Sequence, residues 1–294
     1  MKNIPVHGSP ADERRRKNRR RQLIMGVVLL AFVGTFIWGK LGEADPNPET
    51  NCPRNPLIPI SGYDVLIVDT TAEYSGNQQN RIRGWFEEIK NNVPKYGHLS
   101  LYLINEKSTG DPQPVIALCN PGTGEARTLV EQLTMFLTEN PAGQRRRWEK
   151  DFNQPLDNAL TYSLQGEDWS PILEMLRSIS QDAFQEIPET DPVVPKRLYL
   201  VSDLLQNSED GYSFYRARSL ESRLINWDSF QENPQFENLV TAPFMKEVRV
   251  EALKMLGESG KEQGAQNAPA FRDFWEQYRK QVGVTRWETN PVGY

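Results

Sequence analysis

Histidine and cysteine are scarce in this sequence. Only two residues of each type occur among the 294, namely His7, His98, Cys52 and Cys119. Protein zinc sites usually take their ligands from these two residue types. So small a supply excludes a zinc site of the usual His and Cys kind.

Negative charge outweighs positive charge outside the N-terminus. Residues 1–22 hold eight Lys or Arg against Asp12 and Glu13, a net charge of +6, and the whole chain carries −5, so the rest of the chain carries −11. An acidic body repels the phosphate backbone of nucleic acids. We therefore expect no nucleic-acid partner.

Long apolar runs are rare as well, with one exception near the N-terminus. Residues 23–39 contain no charged side chain, whereas residues 14–21 before them are almost entirely basic. This pattern predicts a transmembrane helix over 23–39, at the short end of the spanning range. By the positive-inside rule, the basic tail 1–22 is cytoplasmic and the remainder is periplasmic or extracellular, as in a single-pass protein of the inner (cell) membrane.

A cleaved signal peptide is a second interpretation of the same segment. Residues 42–44, Gly-Glu-Ala, match a small-x-small cleavage site. However, the apolar run exceeds the about 7 to 15 residues of a usual signal-peptide core. The length therefore favours a retained signal anchor.

The segment that follows the apolar run shows no periodicity. Residues 40–60 are rich in Pro, Asn and Asp, which predicts an extended linker. The linker contains Cys52, whose only possible partner in the chain is Cys119. Because disulfides persist in oxidising compartments, the exported location leads us to expect this bond. Two unrelated buried thiols are the alternative.

Beyond the linker, strand and helix patterns alternate. Residues 65–68 form a continuous aliphatic run, typical of a strand that is buried on both faces of a parallel sheet. The alternation predicts a doubly wound, mostly parallel α/β domain over 61–284, with helices on both faces and a C-terminal tail, 285–294. Further strands are predicted at 98–104, 114–119, 197–203 and 247–253, helices around 82–89, 128–137, 144–164, 172–179 and 271–278, and a flexible loop at 257–267.

Oxygen-bearing side chains follow two of these strands. Asp69 ends the first strand with Thr71 and Glu73 just beyond it, Asp203 ends the fourth, and Ser170 is the predicted N-cap of a helix. In doubly wound sheets the first and fourth strands commonly flank the ligand-binding edge. We therefore expect the five side chains to lie together as a hard-oxygen site for Mg²⁺, Ca²⁺ or Mn²⁺. The alternative is that the two aspartates cap helices or bind turn amides.

This arrangement resembles the von Willebrand factor A-like (VWA-like) family and its metal-ion-dependent adhesion site. The D-x-S-x-S loop of that family matches Asp69-Thr-Thr-Ala-Glu73, its distant Thr matches Ser170, and its Thr-Asp pair matches Ser202-Asp203. The match is degenerate, because Glu73 replaces the second Ser and Leu204 replaces a Gly. The resemblance implies a bound metal with one open coordination position, which a partner's Asp or Glu carboxylate fills.

The sequence thus predicts a membrane-anchored, exported module without enzymatic activity. Its expected partners are other membrane or envelope proteins, within an envelope-associated complex. One alternative is a metal-free scaffold of the same fold. Another is a metal-dependent phosphoryl hydrolase with Asp69 as nucleophile or metal ligand, as in the haloacid dehalogenase fold. That fold has a second Asp two residues after the first, where this chain has Thr71.

Overall fold

The computed structural model describes most of the chain. Two sequence predictions, the helix at 128–137 and the cleavage-like motif at 42–44, lie outside the described residues. Those residues are 10–41, 46–105, 112–122, 141–162, 169–185, 187, 194–208, 212–214, 226–257 and 260–293.

A mixed sheet forms the centre of the domain. Its described strands are β1 Tyr63–Asp69, β2 His98–Ile104, β3 Ile116–Cys119, β4 Lys196–Ser202, β5 Arg249–Met255 and β6 Arg286–Val292. Their order is β3-β2-β1-β4-β5-β6. The short strand β3 runs antiparallel to β2, and all the other neighbours are parallel. The predicted doubly wound, mostly parallel sheet is confirmed.

Helices cover both faces of this sheet. The described helices are α1 Pro10–Leu41, α2 Gly76–Asn92, α3 Pro141–Tyr162, α4 Ile172–Phe184, α5 Trp227–Gln231, α6 Gly260–Asn267 and α7 Pro269–Val282. Side chains of α4 and α7 belong to one hydrophobic core, and side chains of α2 and α3 belong to the other. The prediction of helices on both faces is therefore confirmed.

The central strand β1 contributes to both cores. Successive side chains of a strand point to opposite faces of the sheet. Val65 and Ile67 accordingly lie in the core of α4 and α7, while Leu66 and Val68 lie in the core of α2 and α3. This burial on both faces is the reason why the strand is a continuous aliphatic run in the sequence.

Two segments near the C-terminus differ from the prediction. The expected tail 285–294 contains strand β6, which pairs with β5 from Arg286 to Val292. As an edge strand β6 buries little of its surface, so its side chains carry no hydrophobic pattern that marks a strand. The expected flexible loop 257–267 contains helix α6, which is held to the domain by the buried Ala265 and Gln266.

The linker is also folded where the structure describes it. Pro46 and Pro53 form an isolated bridge, and the turn between them brings the Thr50 carbonyl within 2.8 Å of the Cys119 amide, which donates to it. Cys52 and Cys119 are joined in a disulfide. Residues 46–53 therefore form a loop that is attached to strand β3. The hydrogen bond and the disulfide to Cys119 hold this loop in place, although its own sequence shows no helix or strand pattern.

The predicted transmembrane segment lies inside helix α1. The described side chains of its apolar run, residues 23–34, are exposed, with Leu30 and Phe32 at 72%. Among the described residues, no helix combines the length and apolar character required to cross a membrane. The predicted transmembrane helix is thus not confirmed.

Removal of the disulfide should destabilise the domain. Replacing both Cys52 and Cys119 with Ser is expected to lower the free energy of unfolding by about 4 kcal/mol, because the bond constrains a loop of 67 residues in the unfolded chain. Urea unfolding at fixed pH measures the difference. As a control, a reductant should bring the native protein to the stability of the double variant and leave that variant unchanged. Equal stability of the two proteins would contradict the prediction.

Candidate functional site

The site lies where the winding of the sheet reverses. Strands β1 and β4 are parallel neighbours, with β2 on one side and β5 on the other. Asp69 is the last residue of β1, Ser202 is the last residue of β4, and Asp203 follows directly. This carboxyl edge is where ligands bind in doubly wound sheets. The strand order therefore places the two aspartates at the same edge of the sheet, as predicted.

The carboxylate of Asp69 collects four hydrogen bonds. Its Oδ1 accepts from the Thr71 amide at 3.1 Å and from the Thr71 hydroxyl at 2.6 Å. Its Oδ2 accepts from the hydroxyls of Ser170 and Ser202, each at 2.8 Å. The donors come from the loop after β1, from the segment before α4 and from the end of β4. One buried carboxylate thus connects three parts of the chain.

Burial dominates the electrostatics of Asp69. The residue has no exposed surface. Loss of solvation raises the pKa of its carboxyl group, and the hydrogen bonds from Thr71, Ser170 and Ser202 oppose that increase. The hydroxyls therefore offset part of the cost of keeping a negative charge inside the protein.

Ser170 has a different role from the predicted helix cap. Helix α4 begins at Ile172 with Pro171 at the N-cap position, and no side chain of that residue caps it. The Ser170 hydroxyl donates to Asp69 instead, and the Leu173 amide donates to Oε1 of Gln206 at 2.8 Å. Gln206 thus satisfies the helix end and leaves Ser170 to the carboxylate.

Asp203 lies beside this cluster without bonding to it directly. The residue is partly exposed, and its Oδ1 accepts from the Leu205 amide at 2.8 Å. Burial first, and the negative charge of Asp69 second, raise the pKa of Asp203 well above its usual range. The two carboxyl groups are close enough to affect each other's ionisation, as expected from their positions in the sequence.

Glu73 is not brought into the cluster. It is exposed, and its carboxylate makes no hydrogen bond with another described residue. Its neighbour Tyr74 is buried instead, with a hydroxyl that donates to the backbone carbonyl of Asp69. Because the chain turns the Tyr74 side chain inward, Glu73 faces solvent. Of the predicted site residues, Asp69, Thr71, Ser170 and Asp203 converge, and Glu73 stands apart.

Two contributing residues were not among the predicted ligands: Ser202, which the sequence analysis named only as part of the Ser202-Asp203 pair, and Tyr74. Strand alternation could have identified Ser202, because it lies on the same sheet face as Leu198 and Leu200, whereas Tyr199 and Val201 lie on the opposite face. That face is also the face of Asp69. No comparable signal in the sequence indicated the contact of Tyr74.

Leu204 occupies a backbone conformation that favours glycine. Its φ angle is 61°, in the left-handed region. The Leu204 amide donates to the Ser202 hydroxyl at 2.9 Å, and its carbonyl accepts from the indole of Trp275 at 3.2 Å. The side chain is 2% exposed. Backbone contacts and burial thus hold a leucine at the position where the resemblance calls for glycine.

The converging residues fit a hard cation in part. A hydroxyl that donates its hydrogen to Asp69 keeps lone pairs on oxygen, so Thr71 and Ser170 are able to ligate Mg²⁺ or a similar ion next to Asp203. Within the described residues, no group of three or more His, Cys, Asp or Glu side chains is placed to hold a metal. A cation here would therefore depend mainly on hydroxyl oxygens.

Comparison with known proteins yields only weak likenesses. No family model and no curated protein matches the sequence. An aerotolerance-related membrane protein from Bacteroides fragilis, solved with multiple mutations to serines, is 8% identical, with 78% of this chain and 91% of that chain covered and a TM-score of 0.35. The conserved hypothetical protein BatB from Bacteroides thetaiotaomicron is 9% identical, with 78% and 90% covered and a TM-score of 0.37.

A pilus adhesin is among the similar structures as well. SpaC from Lactobacillus rhamnosus GG, in its open conformation, is 15% identical, with 79% of this chain but only 28% of the adhesin covered and a TM-score of 0.39. Similarity of this size does not assign a function. The mixed sheet with helices on both faces fits a VWA-like α/β fold.

Loss of the Ser202 hydroxyl should be costly. Ser202→Ala removes a donor to Asp69 and the acceptor of the Leu204 amide, both buried, so we expect a loss of about 2 kcal/mol in the free energy of unfolding. Thermal unfolding measures this loss of stability. The matched control is Ser61→Ala, because the Ser61 hydroxyl donates one exposed hydrogen bond to the Lys95 backbone carbonyl, and its loss should cost less than about 1 kcal/mol. Equal losses in the two variants would refute the role given to Ser202.

Proposed function

We propose that the protein is a membrane-associated interaction module of the cell envelope, which binds a partner protein at the carboxyl edge of its sheet. The observation that carries this proposal is the cluster of hydroxyls around Asp69 with Asp203 beside it. Such an edge presents oxygen ligands and turn amides to an incoming group. Binding at this edge is the function that the geometry supports best.

Helix α1 supports the membrane part of the proposal. Its apolar residues from Leu23 to Val33 are exposed in a row, which is costly in water but favourable in a lipid bilayer. The basic residues before them, such as Arg14 and Arg21, are exposed as well. Basic side chains next to an apolar helix favour the anionic cytoplasmic face of a membrane. We propose that α1 holds the chain at the membrane with its N-terminus cytoplasmic.

The disulfide supports the proposed side of the membrane. Disulfides persist in oxidising compartments and are rare in the cytoplasm. The Cys52–Cys119 bond belongs to the segment that follows α1. We therefore propose that the α/β domain faces the periplasm or the cell exterior.

A divalent cation is the proposed link to the partner. Thr71 and Ser170 would ligate it through their hydroxyl oxygens, with Asp69 and Asp203 supplying negative charge. When bound, the ion would offer an open coordination position to a carboxylate of the partner. The chain's own contribution is to hold the hydroxyl hydrogens on Asp69, so that their oxygens are oriented before any ion arrives.

A metal-free scaffold is a second candidate. The four hydrogen bonds to Asp69 already satisfy this carboxylate within the protein. In that case the cluster would only shape the edge of the sheet. The same four bonds disfavour Asp69 as a nucleophile, because its lone pairs are engaged, and we propose binding rather than catalysis.

Charges placed in the apolar part of α1 should release the protein from membranes. Leu29→Arg combined with Leu30→Arg is expected to shift the full chain from the membrane fraction to the soluble fraction, because each buried arginine costs about 2.5–3.5 kcal/mol in a bilayer. Fractionation of cells followed by immunoblotting measures the shift. Leu57→Arg is the control, because Leu57 is 71% exposed, as Leu30 is at 72%, but lies outside α1. An unchanged distribution of the α1 variant would contradict the proposed membrane association.

Divalent cations should stabilise the domain. At about a hundred times the dissociation constant, Mg²⁺ or Mn²⁺ should add about 2.7 kcal/mol of stability, seen as a melting temperature about 5–10 °C higher. Asp203→Asn should abolish the increase and raise the metal-free melting temperature, because it removes a charge that Asp69 disfavours.

Glu73→Gln is the matched control for this experiment. It neutralises an exposed carboxylate outside the cluster, so the cation-induced increase should persist. Loss of the increase in Glu73→Gln would make Glu73 a ligand after all. Unchanged melting with Mg²⁺, Mn²⁺ and Ca²⁺ at millimolar concentration would reject the cation and favour the scaffold.

A further inference from the structure

Lys254 lies in line with the acidic cluster. In the parallel register Val68 pairs with Val201, so Asp69 and Ser202 are the next pair across β1 and β4, and Ser202 pairs with Lys254 of β5. The three side chains therefore form one row at the carboxyl edge. Two strand spacings separate the Cα atoms of Asp69 and Lys254, a distance of about 10 Å.

The row lies on a single face of the sheet. Val250 and Ala252, which alternate with Lys254 along β5, belong to the same core as Ile67 and Leu200. Alternation thus directs the lysine to the face of Asp69 and Ser202. On this face the Lys254 ammonium lies 5.0 Å from the centre of the Phe271 ring.

Hydrogen bonds through Gln266 connect the lysine to the backbone of Asp203. The Lys254 ammonium donates to the Gln266 carbonyl at 3.3 Å, and the Gln266 side-chain amide donates to the Asp203 carbonyl at 2.9 Å and to the Met255 carbonyl at 2.7 Å. Gln266 is 4% exposed. Helix α6 thereby holds the end of β5 against the loop that carries Asp203.

We propose that Lys254 is the resident cation of this site, which offsets part of the negative charge of Asp203 and opposes the binding of a divalent ion. The part that concerns the ion rests on the proposed cation site, whereas the charge balance does not. The consequence is a site whose affinity for metal is held down by the protein's own positive charge.

The electrostatics of the neighbouring groups agree with this role. Burial raises the pKa of Asp203, Asp69 and Glu262 raise it further, and Lys254 opposes them. Burial lowers the pKa of the Lys254 ammonium, and Asp203 opposes that decrease. Asp203 is therefore the carboxylate that favours the charged form of Lys254, and the lysine in turn favours the ionised form of Asp203.

A double-mutant cycle without metal tests the charge balance. Lys254→Met keeps an unbranched side chain that is able to contact Phe271, and we expect its melting temperature to fall by about 2–4 °C. In the Asp203→Asn background the same substitution should have a much smaller effect. Lys254→Arg should behave like the native protein. Equal decreases in both backgrounds would overturn the proposal, because they would show a loss of packing rather than of charge.

A titration of the full chain with Mn²⁺ tests the effect on a divalent ion. We expect Lys254→Met to lower the dissociation constant about tenfold, because one positive charge no longer repels the ion. Lys246→Met is the matched control, since Lys246 is exposed before the opposite end of β5, and it should leave the constant unchanged. Equal dissociation constants for the native protein and Lys254→Met would overturn the proposed opposition to metal. Absence of binding in every variant would instead reject the cation site itself, while the cycle still decides the charge balance.

Discussion

The carboxylate of Asp69 is the group on which the arrangement of the sheet edge depends. It has no contact with solvent and accepts hydrogen bonds from Thr71, Ser170 and Ser202. A buried charge is tolerated only when hydrogen bonds or opposite charges compensate it. The loop after β1, the segment before α4 and the end of β4 must therefore meet at this point, and that requirement organises the carboxyl edge.

Strand β1 carries buried carboxylates near both ends, and the protein compensates them in different ways. At the start of the strand, Asp64 accepts from the Arg197 guanidinium at 3.1 Å, while its Oδ2 is buried without a hydrogen-bond partner. Burial raises the pKa of Asp64 to about 6, and Arg197 opposes that increase. At the other end, hydroxyls compensate Asp69. Neutral donors leave lone pairs available for a ligand, which suits the end of the strand where ligands bind.

Most of the fold was predictable from local patterns, whereas the elements at its margins were not. Residues 65–68 and the buried stripe of α2 indicated their elements because burial on a sheet imposes aliphatic runs and helical spacing. Strand β6 and helix α6 lack such patterns, since an edge strand buries little and α6 is held by the contacts of Ala265 and Gln266. The folded loop around Cys52 likewise depends on a partner strand that is distant in the sequence.

The sequence by itself determined that Asp69 and Asp203 share one edge, because consecutive strands in a doubly wound sheet leave few arrangements. Only the tertiary structure decided which atoms meet there. Ser170 donates to Asp69 because Gln206, from a later loop, satisfies the Leu173 amide. Glu73 remains in solvent because the turn buries Tyr74 instead. These contacts depend on residues that are far apart in the chain, so no local pattern in the sequence predicts them.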